Sequence, residues 1–131
     1  MISFLRSRFR AIAYAFEGWW HVLRTQRNTW VHSTLSIAVI TLGFWLKLSP
    51  GDWAIIILTM AIVWAAEFFN TSLEALTDLI QPKEHPLAKI SKDVSAAAVL
   101  ITAVASILIG LLILGPPLLD KIRLMIEGSI F

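Results

Sequence analysis

From Asn28 to Leu46 the chain carries no Asp, Glu, Lys or Arg, and the run closes at Lys47 before Ser49-Pro50-Gly51-Asp52. A ~30 Å hydrocarbon core needs about 20 helical residues, so this stretch predicts a first transmembrane helix over 29–48, ending in a short turn. A second apolar run starts at Trp53 and predicts a helix over 53–80. That helix is longer than a bilayer is thick, and its last two turns should project from the membrane. Gln81 to Ser91 contains Pro82 and Pro86, which favour a break and a connecting loop. Val94 to Leu119 is again free of charge and predicts a third span over 93–115. It should lose its register near Gly115-Pro116-Pro117, leaving a tail over 118–131 that reads as a short interfacial helix. Upstream, Phe9, Ile12, Ala13, Phe16, Trp20 and Leu23 follow helical spacing among arginines, which predicts a basic amphipathic helix over 2–27 lying in the membrane interface. Paired Trp19 and Trp20 suit its headgroup belt. The expected fold is all-α: an N-terminal surface helix and three transmembrane helices in one membrane domain, 1–131.

Composition agrees with this pattern. A hydrophobic share of 57% and mean hydropathy of +0.75 are too apolar for a soluble chain of 131 residues. The net charge of +2 comes from Lys and Arg placed at particular ends, which reads as an orientation signal and contact with lipid headgroups; nucleic-acid binding is not expected. Without cysteine there is no disulfide framework, and any metal would use oxygen or histidine ligands. The N-terminal segment holds Arg6, Arg8, Arg10, Arg24 and Arg27, and the second loop Lys83, Lys89 and Lys92. Lys47 alone marks the first loop, with Lys121 and Arg123 in the tail. By the positive-inside rule the N-terminus and second loop face the cytosol and the C-terminus lies outside, in the cytoplasmic membrane. Glu17, His21, Arg24 and Arg27 interrupt the segment before any long apolar run, so no cleavable leader is expected.

The candidate chemistry lies in the second span. At about 100° per residue, Glu67, Asn70, Thr71, Glu74 and Asp78 fall within roughly 60° either side of one line. Counting from Trp53, Glu67 lies about 20 Å along the crossing, still within hydrocarbon, while Glu74 and Asp78 emerge near the headgroups. An ionisable group at such depth costs on the order of 2–3 kcal/mol near mid-span and is a functional site by default. Lys92 and Asp93 open the third helix across a short loop from Glu74 and Asp78. Carboxylates, an amide and a lysine at this rim suit Mg²⁺ and phosphate, because Mg²⁺ takes one or two carboxylates plus substrate oxygens. Phosphoryl transfer from a cytosolic nucleotide to a lipid hydroxyl fits the arrangement.

At these residues the chain resembles the small prokaryotic integral-membrane lipid kinases, the diacylglycerol kinases and undecaprenol kinases. The resemblance rests on Glu67, Asn70, Thr71, Ser72, Glu74 and Asp78; on His85, Leu87, Lys92, Asp93 and the following Ser95-Ala96-Ala97-Ala98-Val99; and on Tyr14, Gly18, Thr25-Gln26-Arg27-Asn28 and His32. It covers roughly residues 7–115. It implies that Glu67 is the general base on the lipid hydroxyl and that Glu74 holds the metal with the phosphates of ATP. It further implies that Lys92 and Asp93 bind the nucleotide, that Tyr14, Glu84 and His85 line its site, and that Asn70 and Asp78 support it. Homotrimers with active sites shared between neighbours are implied as well.

One departure concerns the metal. Many members place a second metal-ligating glutamate where this chain has Gln26, whose amide offers an oxygen but no charge. The loop and Lys-Asp-Val-Ser-Ala run look more like the undecaprenol branch than the diacylglycerol branch. Taken alone, the residues also have plainer readings: Lys92 and Asp93 as an interfacial anchor and helix cap, Asp78 as a solvated last-turn residue, His21 and His32 as interface residues and not ligands. The competing class is a non-enzymatic membrane protein, either an ion or proton pathway or a helical assembly partner. Conduction needs polar residues through the whole thickness, whereas 53–66 offers only Thr59 on the far side.

Overall fold

A computed structural model describes residues 2–128 and contains four helices: α1 (Ile2–Thr25), α2 (Arg27–Leu46), α3 (Pro50–Ile80) and α4 (Pro86–Glu127). The last three helices are long and apolar enough to cross a membrane, as expected of a membrane protein. The last three residues of the expected tail lie outside the described residues.

Short connections force α2, α3 and α4 to alternate in direction. The start of α2, the end of α3 and the start of α4 therefore meet at one end of the bundle, here termed the loop end. α3 and α4 form the most extensive pair. Buried apolar residues are few, namely Val22, Ile56, Val63, Val99 and Leu114, and as many polar residues are buried with them: Thr29, Glu67, Asn70, Thr71 and Ser95. Large apolar side chains such as Ile57, Leu58, Ile101 and Leu112 are exposed, the distribution of a chain whose outer solvent is lipid.

Three boundaries differ from those expected. Ser49-Pro50-Gly51-Asp52 forms the first turn of α3 and not a free turn. Ser49 Oγ accepts the Asp52 N–H, the Asp52 carboxylate accepts the Ser49 N–H, and Pro50 takes the first helical position, where it has no N–H to lose. The same preference starts α4 at Pro86, capped by His85, so only 81–85 connects α3 and α4. The third helix also keeps its register through Pro116 and Pro117 as far as Glu127. Each proline removes one backbone donor, yet unwinding at membrane depth would expose several more polar groups, so continuing the helix is the lower-cost outcome. Trp19 packs tilted against Trp64 and edge-on against Phe68 of α3, each with ring centres 5.4 Å apart, tying α1 to the bundle.

The end opposite the loop is closed by packing. Lys47 adopts a left-handed conformation (φ 57°) that ends α2, and the Leu48 N–H returns to the Gly43 carbonyl. Gly43 admits the Trp53 indole so closely that a Cβ there would meet Cη2 at 2.9 Å, Cζ2 at 3.0 Å and Leu48 Cδ1 at 3.1 Å. The indole is rigid and also packs on Phe44 at 4.8 Å, so it cannot move aside freely. Gly43→Ala is therefore expected to destabilise the protein by about 1–3 kcal/mol. The check is the melting temperature in detergent, where an unchanged midpoint would show that the α2–α3 contact yields without cost.

Candidate active site

Gln26 is the single residue between α1 and α2. With extended backbone (φ −100°, ψ 118°) it leaves its amide free to reach across to α3, where Nε2 donates to Glu74 Oε2 at 3.3 Å. From the other side Asn70, one turn earlier on α3, donates through Nδ2 to Glu74 Oε1 at 3.3 Å. Ser95 on α4 donates through Oγ to Asn70 Oδ1 at 2.7 Å. A chain of four side chains thus links the α1–α2 junction, α3 and α4 around one carboxylate. A cavity of about 290 Å³ opens on it, lined among others by Gln26, His32, Asn70 and Glu74.

Glu67 lies two turns deeper. Seven residues separate it from Glu74, about 10 Å along the axis and nearly in line on one face. Its exposure is 1%, and neither carboxylate oxygen has a hydrogen-bond partner among the described residues. The nearest opposite group is His32 of α2, whose Nε2 is 3.8 Å from Glu67 Oε2 and is likewise buried without a partner. His32 lines the cavity around Glu74 and also a small apolar cavity of about 80 Å³, which runs down past Ser36, Met60, Val63 and Trp64.

The rim of the loop end holds the other expected residues. Asp78, Glu84, His85, Lys89, Lys92 and Asp93 line an open cavity of about 810 Å³ at the α3–α4 connection. Lys92 donates to Asp78 Oδ1 across that connection at 2.5 Å, a pair that stays largely exposed on the Asp78 side. Asp93 instead accepts from Lys89 of its own helix at 2.7 Å. Neighbouring residues point about 100° apart on a helix, which separates Lys92 from Asp93. His85 caps α4, its Nδ1 accepting the Leu87 N–H at 3.2 Å. Glu84 is exposed in the connection. Tyr14 is exposed on α1 and is not among the residues lining these cavities.

The structure thus gathers Gln26, Asn70 and Glu74 in one network, sets Asp78 against Lys92, and leaves Tyr14 apart. Two further members carry the resemblance but were given no site role by the sequence reading. His32, read there as an interface residue, stands 3.8 Å from Glu67, and Ser95 holds Asn70. The signal for His32 was its place one turn inside an uncharged run, where a polar ring needs a partner.

An all-helical membrane protein with a buried carboxylate beneath a polar, nucleotide-sized rim is the class these features define. Residues 13–114 match the family described as prokaryotic diacylglycerol kinase, and the chain belongs to it. It is 43% identical over 110 residues to an undecaprenol kinase of Bacillus subtilis, covering 84% of this chain and 89% of the relative. A diacylglycerol kinase of Synechocystis is 41% identical over 108 residues, spanning 82% of this chain and 62% of that protein. The diacylglycerol kinase of Escherichia coli K12 is 26% identical over 106 residues, 76% of this chain and 81% of the relative. The chain is accordingly a lipid kinase, with ATP as the phosphoryl donor that a kinase family implies.

Gln26→Glu would place a second carboxylate against Glu74 where a neutral donor now sits. The variant is expected to melt at a lower temperature without divalent cation and to gain more than the parent on adding Mg²⁺, with a lower half-saturating Mg²⁺ concentration in turnover. Identical Mg²⁺ titrations of parent and variant would show that position 26 takes no part in any Mg²⁺ binding.

Proposed function

We propose that this kinase transfers the γ-phosphoryl group of ATP to the hydroxyl of a membrane-embedded lipid alcohol, and that undecaprenol is its preferred acceptor over diacylglycerol. The observation that carries the reading is the two-level arrangement on α3: Glu67 buried without a hydrogen-bond partner at membrane depth, and the Glu74 network about 10 Å nearer the rim. A water-soluble donor and an apolar acceptor approach one helix face from opposite sides. The similarity to the Bacillus undecaprenol kinase, along nearly its whole length, supports the acceptor.

In this reading Glu67 receives the hydroxyl proton as the lipid oxygen attacks the γ-phosphorus and ADP leaves with the electron pair of the broken P–O bond. The nucleotide occupies the rim cavity, whose volume suits it and whose Lys83, Lys89 and Lys92 offer positive charge to phosphates. Lys92 leaves Asp78 for the phosphates, and Asp93, Glu84 and His85 contact the nucleoside; Tyr14 of α1, which lines none of these cavities within one chain, is assigned to the nucleotide site by the family resemblance alone. Among the described residues no three acidic or histidine side chains converge into a protein-only metal centre. One carboxylate flanked by two amides nevertheless fits Mg²⁺, which commonly takes most of its oxygens from phosphate and water. Glu74 would hold it, with the Gln26 and Asn70 amides in reach, and the ion would neutralise phosphate charge. The reading extends to a homotrimer with shared sites in the cytoplasmic membrane, with α1 on the inner surface, the N-terminus cytosolic and the C-terminus outside. The charge asymmetry of the loops and the exposed Phe9, Ile12, Phe16 and Trp20 of α1 support that orientation.

Purified protein in lipid, given labelled ATP, Mg²⁺ and either undecaprenol or diacylglycerol, is expected to label undecaprenol at least about tenfold faster in kcat/KM. Faster labelling of diacylglycerol would reverse the assignment of acceptor. Glu67→Gln is expected to lower turnover by about 10²-fold or more with ATP binding unchanged. Full activity in that variant would remove Glu67 from the reaction.

A further inference from the structure

Glu67 offers two oxygens to a single neighbour. Oε2 lies 3.8 Å from His32 Nε2, a gap too wide for a hydrogen bond and too narrow for a bridging water, so a small rotation of the ring closes it. Beside the imidazole stands Trp64, its ring centre 6.4 Å away and its Nε1 donating to Ser36 Oγ at 3.2 Å. Because Nε2 is the atom that faces Glu67 Oε2, only the neutral tautomer of His32 protonated on Nε2 can donate to it. A bond to Oε2 would fix the carboxylate plane and leave the Oε1 lone pairs unengaged. His32 is also the side chain common to the polar cavity at Glu74 and the apolar cavity below, the wall that both substrates would approach.

We propose that His32 is a positioning residue for phosphoryl transfer: its Nε2–H holds Glu67 through Oε2 so that Oε1 faces the incoming lipid hydroxyl. The role rests on the reading of Glu67 as the proton acceptor. In this role His32 acts through Glu67 and not on the nucleotide, so its loss should alter kcat and not ATP affinity.

The test measures turnover of the full-length protein in lipid with ATP, Mg²⁺ and undecaprenol or diacylglycerol in separate reactions. His32→Leu keeps most of the volume without a donor and is expected to lower kcat by about tenfold to hundredfold, with KM for ATP within about twofold. His32→Gln keeps an N–H of similar reach and should restore kcat to within about threefold of the parent. Equal activities of the leucine and glutamine variants would overturn the proposal. If the leucine variant is not recovered from the membrane, His32→Asn is set against His32→Gln: kcat at least about threefold lower for the shorter amide supports the role, and equal activities of the two overturn it. A fully active Glu67→Gln would remove the base reading itself, whereas an inactive Glu67→Gln beside a fully active His32→Leu would remove only the role of His32.

Discussion

Burying the Glu67 carboxylate between apolar helices is the constraint on which the rest of the loop end depends. A lone carboxylate at this depth is costly, and a lipid-facing position would leave it with neither water nor counter-group. The chain turns it inward, to 1% exposure, and places the partly buried His32 opposite it from α2. That requirement sets the register of α2 against α3. With His32 level with Glu67, the antiparallel course of α2 brings Gln26, six residues earlier, toward Glu74, seven residues later on α3. One pairing thereby positions the second.

The helical repeat does the remaining work. Seven residues are close to two turns, so Glu67 and Glu74 share a face, with Asn70 and Thr71 on that face between them. Thr71 bonds back to the Glu67 carbonyl at 2.9 Å, and Asn70 bridges from Glu74 to Ser95 on α4. In the proposed reading, that spacing would set one acid at the lipid acceptor and the other at the nucleotide phosphates. A single rigid element therefore holds both halves of the reaction proposed here at fixed separation, the condition under which positioning contributes most to rate.

Much of this was legible in sequence because it is local. Uncharged runs revealed three spans, and the 67–78 periodicity revealed the acidic face, since both depend only on spacing along one helix. Capping followed a local rule that was available but read as a turn: Ser49 to Asp52 is a capping box, and Pro86 is a favoured first helical residue. What was not legible depends on register between helices. Nothing near His32 announces Glu67, thirty-five positions away, and nothing near Ser95 announces Asn70. Lys92 and Asp93 read as a unit because they are adjacent, yet adjacency on a helix separates directions, and the fold gives them different partners.

The two ends of the bundle differ in how completely their polar groups are satisfied. Opposite the loop end, Ser49 and Asp52 cap each other, Leu48 returns its N–H to Gly43, and Lys121 of α4 donates to the Trp45 carbonyl at 3.1 Å while lying 4.8 Å above its ring. The carbonyls that a helix end normally leaves open are thus partly answered there, and an end of this kind serves stability. On the loop-end side the network around Glu74 is bonded, but through amides whose contacts are long and exchangeable, and the deeper His32 and Glu67 are left unbonded. Among the described residues, His32 Nε2 and the two Glu67 oxygens are the buried side-chain polar atoms lacking a partner. Unmet polar capacity of that sort is disfavoured in a chain selected for stability alone, and its confinement to one facing pair is what the proposed reaction would draw on.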